Sequence, residues 1–148
     1  MSDLPEKVDV TRLAHYVNKI NGLASVTKLM APVYLQDMII GQDVAANLLA
    51  KAIQQDSKAK AKLDYVESIA YLEKAREYLE KHSIKDTSEA RKQYVNVDDD
   101  VQKAKDIKAG TEALVILLKS KLSQLRQAHD DLKKIVYGDQ NLTPYEGM

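Results

Sequence analysis

The chain has 148 residues, and its 22 Lys and Arg balance its 22 Asp and Glu, so the formal net charge is zero. This balance excludes an overall basic surface for nucleic acid, and the absence of cysteine excludes disulfides, thiolate metal sites and cysteine nucleophiles. The start MSDLPEKVDV lacks the apolar core of a signal peptide, and the longest apolar run, Leu114–Leu118, is far too short to span a bilayer. We therefore expect a cytoplasmic protein with no membrane partner.

Good helix formers dominate the chain and strand patterns are nearly missing, so the sequence predicts an all-α protein with long helices. Asp9 or Thr11 is expected to cap a first helix. Pro32 is expected to mark a kink or a stop. Beyond it, one long helix is predicted from about Val33 to His82, with Gly41 as the candidate position of a bend.

Polar residues mark two helix starts after this long helix. Asp86 followed by Glu89 fits a capping box with Asp in place of the usual Ser or Thr, which predicts a short helix over residues 87–95. Asp98 is a good N-cap for the next helix, because the aspartates that follow it also favour the positive end of the helix dipole. Three adjacent carboxylates at one helix start do not converge on a point, so capping is expected here rather than a cation site.

The last helix has the clearest pattern. The apolar residues of this helix recur every three or four residues, and the step from Leu118 to Leu122 interrupts the strict alternation of these spacings. Such an interruption is a stutter in a heptad repeat, a pattern typical of a coiled-coil-like assembly helix. Gly138 is expected to end this helix. The predicted divisions are an N-terminal helical segment (1–32), a helical oligomerisation domain (33–138) and a flexible tail (139–148). The stripe consists of Ile107, Thr111, Leu114, Leu118, Leu122, Leu125, His129, Leu132 and Val136.

The run Leu114–Leu118 covers every side of that helix, so it is expected to be buried all round. Burial of each such side chain contributes roughly 1.5–3 kcal/mol. Few other helices are available to cover the run, so we expect other copies of the chain to do so; an intramolecular bundle is the alternative. The residues assigned to this assembly are Leu114, Leu118, Leu122, Leu125 and Leu132.

Catalytic and cofactor motifs are missing from the sequence. It has neither the glycine-rich loops that bind nucleotide phosphates nor the H-E-x-x-H zinc motif, and its three histidines lie far apart. No pair of residues stands out for acid–base catalysis. We therefore predict a non-enzymatic protein without catalytic residues, cofactor or metal.

Positive charge is concentrated in residues 51–62, KAIQQDSKAKAK, which carry four lysines and one aspartate. Lys58 and Lys62 share a helix face, whereas Lys60 projects about 200° round from Lys58. Lysine suits sequence-independent phosphate contact, and Tyr65, one turn beyond, offers a ring for base stacking. These three lysines are the predicted DNA-binding residues, and the alternative is an ordinary solvated helix face.

The segment Lys60-Ala61-Lys62-Leu63-Asp64-Tyr65 resembles the K-A-[RK]-L-D-Y stretch of the UvsY family, the recombination mediators of T-even phages. The resemblance continues at Asp98-Asp99-Asp100-Val101, which is similar to the family's D-x-D-V helix start. Further along, Ile116-Leu117-Leu118 is similar to its I-L-L in an apolar C-terminal helix. The resemblance covers residues 45–138, where these features follow in the same order.

This resemblance implies a small helical protein that assembles into a closed homo-oligomeric ring through its apolar C-terminal helix. It implies that Lys60 and Lys62 contact single-stranded DNA. The implied activity is non-enzymatic: the protein helps a RecA-like recombinase load onto strands coated by single-strand DNA-binding protein, in DNA recombination and repair, within the host cytoplasm if a phage encodes it. The alternative is a helical oligomeric phage structural or assembly protein without DNA binding, which the neutral charge and Ala-rich helices favour.

Overall fold

The computed structural model describes the backbone of residues 7–146 and the side chains of residues 7–138. Within these residues the chain is helical and has no strand, which confirms the predicted all-α fold. None of the described helices is both long and apolar enough to cross a membrane. The helices are α1 (Thr11–Lys19), α2 (Ala31–Ile69), α3 (Ala75–Lys81), α4 (Ser88–Val97) and α5 (Asp99–Glu146), with a 3-10 helix (Ile20–Ser25) after α1 and a π-helical turn (Ala70–Lys74) between α2 and α3.

The chain divides into two compact units, which are described separately. One unit comprises Ala52–Val115, and the other comprises Lys7–Lys51 together with the chain from Ile116 onward. Helices α2 and α5 each supply residues to both units. The units are defined by packing alone, and the predicted boundary at residue 32 stays a prediction.

The starts of α1 and α2 follow from the backbone groups that a first helical turn leaves free. Val10 occupies the N-cap position of α1 and makes no side-chain capping bond, so neither predicted residue is the N-cap. Asp9 Oδ1 nevertheless accepts a hydrogen bond from the free Thr11 N–H at 2.9 Å. Pro32 neither kinks nor stops a helix, because it is the second residue of α2, where its missing N–H costs no helical hydrogen bond. The predicted long helix is confirmed, since α2, the π-helical turn and α3 run without a break from Ala31 to Lys81.

The π-helical turn, which the sequence did not predict, is held by a side chain of α4. Arg91 Nη1 donates a hydrogen bond to the Tyr71 carbonyl oxygen at 3.2 Å. Asp86 accepts two further hydrogen bonds from Arg91 Nε and Nη2, both at 2.7 Å. The predicted capping role of Asp86 is therefore wrong: its carboxylate orients the guanidinium, and Thr87 Oγ1 caps α4 by accepting from the Ala90 N–H at 3.1 Å.

Asp98 caps α5 as predicted, because its buried Oδ1 accepts from the Val101 N–H at 3.1 Å. Its Oδ2 accepts from the Tyr94 hydroxyl at 2.8 Å and from Lys74 Nζ at 3.5 Å, and Lys74 also pairs with Asp100. Burial raises the pKa of Asp98, but these hydrogen bonds and the Lys74 charge outweigh burial and hold it below its ordinary value. Burial, and then the bond to Asp98, raises the pKa of Tyr94 to about 12, so the phenol remains a donor.

We expect acid to destabilise the Ala52–Val115 unit. The pKa values of Asp56, Asp86 and Asp98 all lie below the ordinary value in the folded chain. Such a carboxylate stabilises the fold above its unfolded pKa, about 3.9, and this contribution is lost as the pH falls through the lower folded pKa. The urea midpoint, followed by circular dichroism, should therefore decrease below about pH 4.

The variant Asp98→Asn is the matched control for this acid effect. Asparagine still offers an oxygen to the Val101 N–H but has no carboxylate to protonate. Its urea midpoint should be lower than that of the unmodified chain at pH 7 and should fall less on acidification. A midpoint of the unmodified chain that is unchanged at pH 3 would show that these carboxylates do not stabilise the fold.

Helix α5 buries only part of the apolar run that was predicted to be covered on every side. Ile116 and Leu117 are 62% and 48% exposed in the single chain, and Leu114 is half-buried. A helix that packs inward along one stripe leaves its opposite side in contact with solvent in the single chain. That other copies of the chain cover this side, as the sequence led us to expect, stays a prediction. The deeply buried leucines of α5 are Leu118, Leu122, Leu125 and Leu132.

Gly138 does not end the last helix. A glycine ends a helix by adopting a positive φ, and no described glycine of the chain does so. Helix α5 continues to Glu146. The predicted tail of residues 139–148 is therefore helical in its backbone as far as that residue.

Candidate nucleic-acid interface

The three lysines predicted to bind DNA lie on α2, within the Ala52–Val115 unit. Lys58, Lys60 and Lys62 are all exposed. Ala52 and Ala59 are buried, whereas Ala61 is exposed, so this polar part of the helix packs through small side chains on one side. Small buried side chains bring the helix backbone close to its neighbours, and the longer lysine side chains extend into solvent.

Helix geometry separates the three lysines into two sets. Successive residues of an α-helix are about 100° apart, so Lys58 and Lys62 lie about 40° from each other. Lys60 lies about 160° from either of them. The structure therefore brings together Lys58 and Lys62 but places Lys60 on the other flank of α2, and the three lysines do not form one surface.

The flank of α2 that carries Lys60 is balanced by negative charge. Asp56 and Asp64 lie one helical turn to either side of Lys60. The pKa of Asp56 lies below its ordinary value, chiefly because Lys108 Nζ donates to its Oδ1 at 2.9 Å; burial opposes this effect, and the Thr111 hydroxyl at 2.8 Å and the Lys60 charge add to it. Asp56 thus remains ionised at neutral pH, and Lys108 offsets part of its charge. Asp64, on the other side of Lys60, is the second carboxylate that reduces the positive potential there.

The other flank combines two lysines with an aromatic ring. Among the described residues, no carboxylate lies within ion-pair distance of Lys58 or Lys62. Tyr65 is 63% exposed, and Lys62 Nζ lies 6.0 Å from the centroid of its ring. We call Lys58, Lys62 and Tyr65 the lysine–tyrosine face. It offers unpaired ammonium groups and an accessible aromatic ring within about two turns of one helix.

The leucines that were predicted to mediate assembly occupy a different environment from the one expected. Leu118, Leu125 and Leu132 are fully buried within the single chain, and Leu122 is nearly so. Buried side chains cannot contact a second copy unless the chain rearranges, so these four leucines form part of the core of the single chain, and their predicted role in assembly would require such a rearrangement. The exposed apolar side chains of this stretch are Ile116 and Leu117, which the sequence did not distinguish from their neighbours because the run is uniformly apolar.

Asp98 begins a row of three adjacent carboxylates at the start of α5. Within the described residues, no group of three or more His, Asp or Glu side chains is placed to hold a metal ion. Asp98 and Asp100 instead pair with Lys74. The acidic row therefore has a structural role at the start of α5.

Comparison with known proteins adds no relative. No protein-family model, no curated protein and no solved structure matches this chain. The resemblance to the UvsY family rests on the sequence motif and on the order of the features around it.

Proposed function

We propose that this protein is a non-enzymatic recombination mediator that binds single-stranded DNA. In this role it helps a RecA-like recombinase load onto strands coated by single-strand DNA-binding protein. The observation that carries the proposal is the lysine–tyrosine face, where two lysines without a carboxylate partner lie beside an exposed tyrosine. The recombinase and the single-strand DNA-binding protein are proposed as partners because the Lys60–Tyr65 segment resembles the UvsY family.

The charge distribution of the chain suits this kind of binding. Lysine ammonium groups contact phosphates irrespective of base sequence, and each contact releases counterions from the strand. The net charge is zero, so a single copy has only a local positive field. Assembly of several copies would place several such fields around one strand and strengthen binding. A homo-oligomer, in the family a closed ring, is therefore part of the proposal.

A helical structural or assembly protein without DNA binding is the second candidate. The exposed Ile116 and Leu117 favour it, because an apolar surface on a helix is a common contact between copies of a chain. This contact is compatible with both candidates, so only DNA binding separates them.

A salt titration with single-stranded DNA tests the proposal. A fluorescent oligothymidine should bind the unmodified chain at low salt, and log K should fall linearly with log salt, with a slope of about −0.7 for each neutralised phosphate. The triple variant Lys58→Ala, Lys60→Ala, Lys62→Ala should flatten this slope by at least about 1.4, since it removes both ammonium groups of the lysine–tyrosine face. Its mass in solution should not change, because the three side chains are exposed.

Two further results decide between the candidates. In a loading assay, the unmodified chain should accelerate assembly of a RecA-like recombinase on strands coated by single-strand DNA-binding protein, and the triple variant should not. If the unmodified chain shows no binding to oligothymidine at low salt, the mediator role is excluded and the structural candidate remains.

A further inference from the structure

The lysine–tyrosine face forms a compact strip on α2. With Lys58 as reference, Lys62 lies about 40° to one side and Tyr65 about 20° to the other. The three residues extend over about 10 Å along the helix axis. A single extended polymer that runs along the helix can therefore contact all three side chains together.

The neighbours of each lysine on the helix explain why this strip is positive. Residues three or four positions away are the neighbours of a helical side chain. For Lys58 and Lys62 these positions hold only neutral or basic residues. For Lys60 they include Asp56 and Asp64. The two flanks of the same helix thus differ in local charge although each carries lysine.

Tyr65 differs from the other tyrosines in the described residues by its exposure. It is the most exposed of them, at 63%, and its ring has no aromatic partner, whereas Tyr78 packs against His82 and Tyr94. Within the described residues, the one aromatic or cation–π contact of the Tyr65 ring is with the ammonium group of Lys62. An exposed ring beside unpaired cations is the arrangement on which a base of a single strand can stack while its phosphates contact the cations.

We infer that the lysine–tyrosine face selects single-stranded over duplex DNA, with Lys58 and Lys62 contacting phosphates and Tyr65 stacking on an unpaired base. The inference rests on the proposed function, since it concerns the same ligand. In a duplex the bases are already paired and stacked, so the Tyr65 ring gains no partner unless a base is first extruded. Tyr65 therefore supplies the selectivity, and Lys60 lies outside the face.

Substitutions of Tyr65 test the stacking contact. Binding of three fluorescent probes of equal length should be compared: a mixed-sequence single strand, an abasic strand that keeps the phosphates, and a duplex. Tyr65→Ala should weaken binding of the mixed-sequence strand roughly tenfold and leave the abasic strand and the duplex unchanged. Tyr65→Phe, which keeps the ring, should bind like the unmodified chain.

Single lysine substitutions test the boundary of the face. Lys58→Ala and Lys62→Ala should each flatten the salt slope on the single strand by about 0.7. Lys60→Ala is the matched control on the same helix, and it should change the slope by less than half as much. All of these variants should fold, because each position is exposed and alanine is the best helix former.

The outcomes separate the inference from the proposed function. If the unmodified chain binds the single strand but Tyr65→Ala binds it equally well, or weakens the abasic strand to the same extent, the stacking role is wrong and the mediator role survives. If Lys60→Ala changes the salt slope as much as Lys58→Ala does, Lys60 also contacts phosphate and the inference that it lies outside the face is wrong. Failure of the unmodified chain to bind any of the three probes would overturn both.

Discussion

Leu118→Asp is expected to unfold the chain. Leu118 on α5 is completely buried, so the substitution places a carboxylate in the interior without a partner. The loss of the leucine costs roughly 1.5–3 kcal/mol, and the desolvated carboxylate adds several kcal/mol more. Together these approach the whole stability of a small domain, about 5–15 kcal/mol. Loss of helical circular dichroism and of a cooperative urea transition would be the measured result.

Leu117→Asp is the matched control, one residue away on the same helix. Its side chain is half exposed, so we expect the variant to stay folded, with a change in stability within about 0.5 kcal/mol. If copies associate through the exposed side of α5, this variant and Ile116→Asp should reduce the mass measured by light scattering. A folded, monomeric Leu118→Asp would instead show that Leu118 lies between copies and not in the interior.

Gly41→Ala is expected to destabilise the unit that contains α1. A Cβ added at Gly41 would lie 2.9 Å from Tyr16 Cβ and 3.1 Å from Leu125 Cδ2. The first distance is shorter than side-chain carbons tolerate, and Tyr16 Cβ is attached directly to the backbone, so α1 has to shift. Overpacking of this kind costs about 1–3 kcal/mol, which exceeds the gain of about 1 kcal/mol when alanine replaces glycine in a helix.

The same substitution at Gly110 provides the control. Nothing lies within 4 Å of a Cβ added there, so Gly110→Ala should gain helix propensity without a clash and stabilise the chain by about 0.5–1 kcal/mol. Urea unfolding of both variants should therefore give changes of opposite sign. If Gly41→Ala is as stabilising as Gly110→Ala, the close approach of α1 and α5 to Gly41 does not exist in solution.

The role of Gly41 also shows which features a single sequence hides. The sequence suggested Gly41 as the position of a bend, because glycine is a weak helix former. Its contacts come from Tyr16 and from Leu125, which is 84 residues further along the chain. Asp86 is a second example of a role that the sequence does not show. Its hydrogen bond to Arg91 is local, but the Arg91 guanidinium reaches the Tyr71 carbonyl only because α4 packs against the π-helical turn.

The candidate site was found only in part from the sequence. Helical spacing alone separates Lys60 from Lys58 and Lys62, since it depends on the geometry of one helix. The ion pair of Asp56 with Lys108 joins residues 52 positions apart, and no pattern in the sequence indicates it. The sequence therefore does not show that Lys108 offsets part of the Asp56 charge beside Lys60.

The sequence by itself determined the all-α class, one long helix from about Val33 to His82 and the capping of α5 by Asp98, because apolar periodicity and caps act within a few residues of the chain. The structure gives this helix the bounds Ala31 and Lys81. Tertiary structure alone decided which leucines of α5 are buried, why Gly41 has to lack a side chain, and how exposed Tyr65 is. Burial depends on which distant segments pack together, and many pairings are compatible with one pattern of apolar residues. The physical reason is the sequence separation of the interacting residues. The hydrogen bonds of a helical turn join residues a few positions apart and follow from the local sequence, whereas packing contacts join residues that are far apart in the sequence.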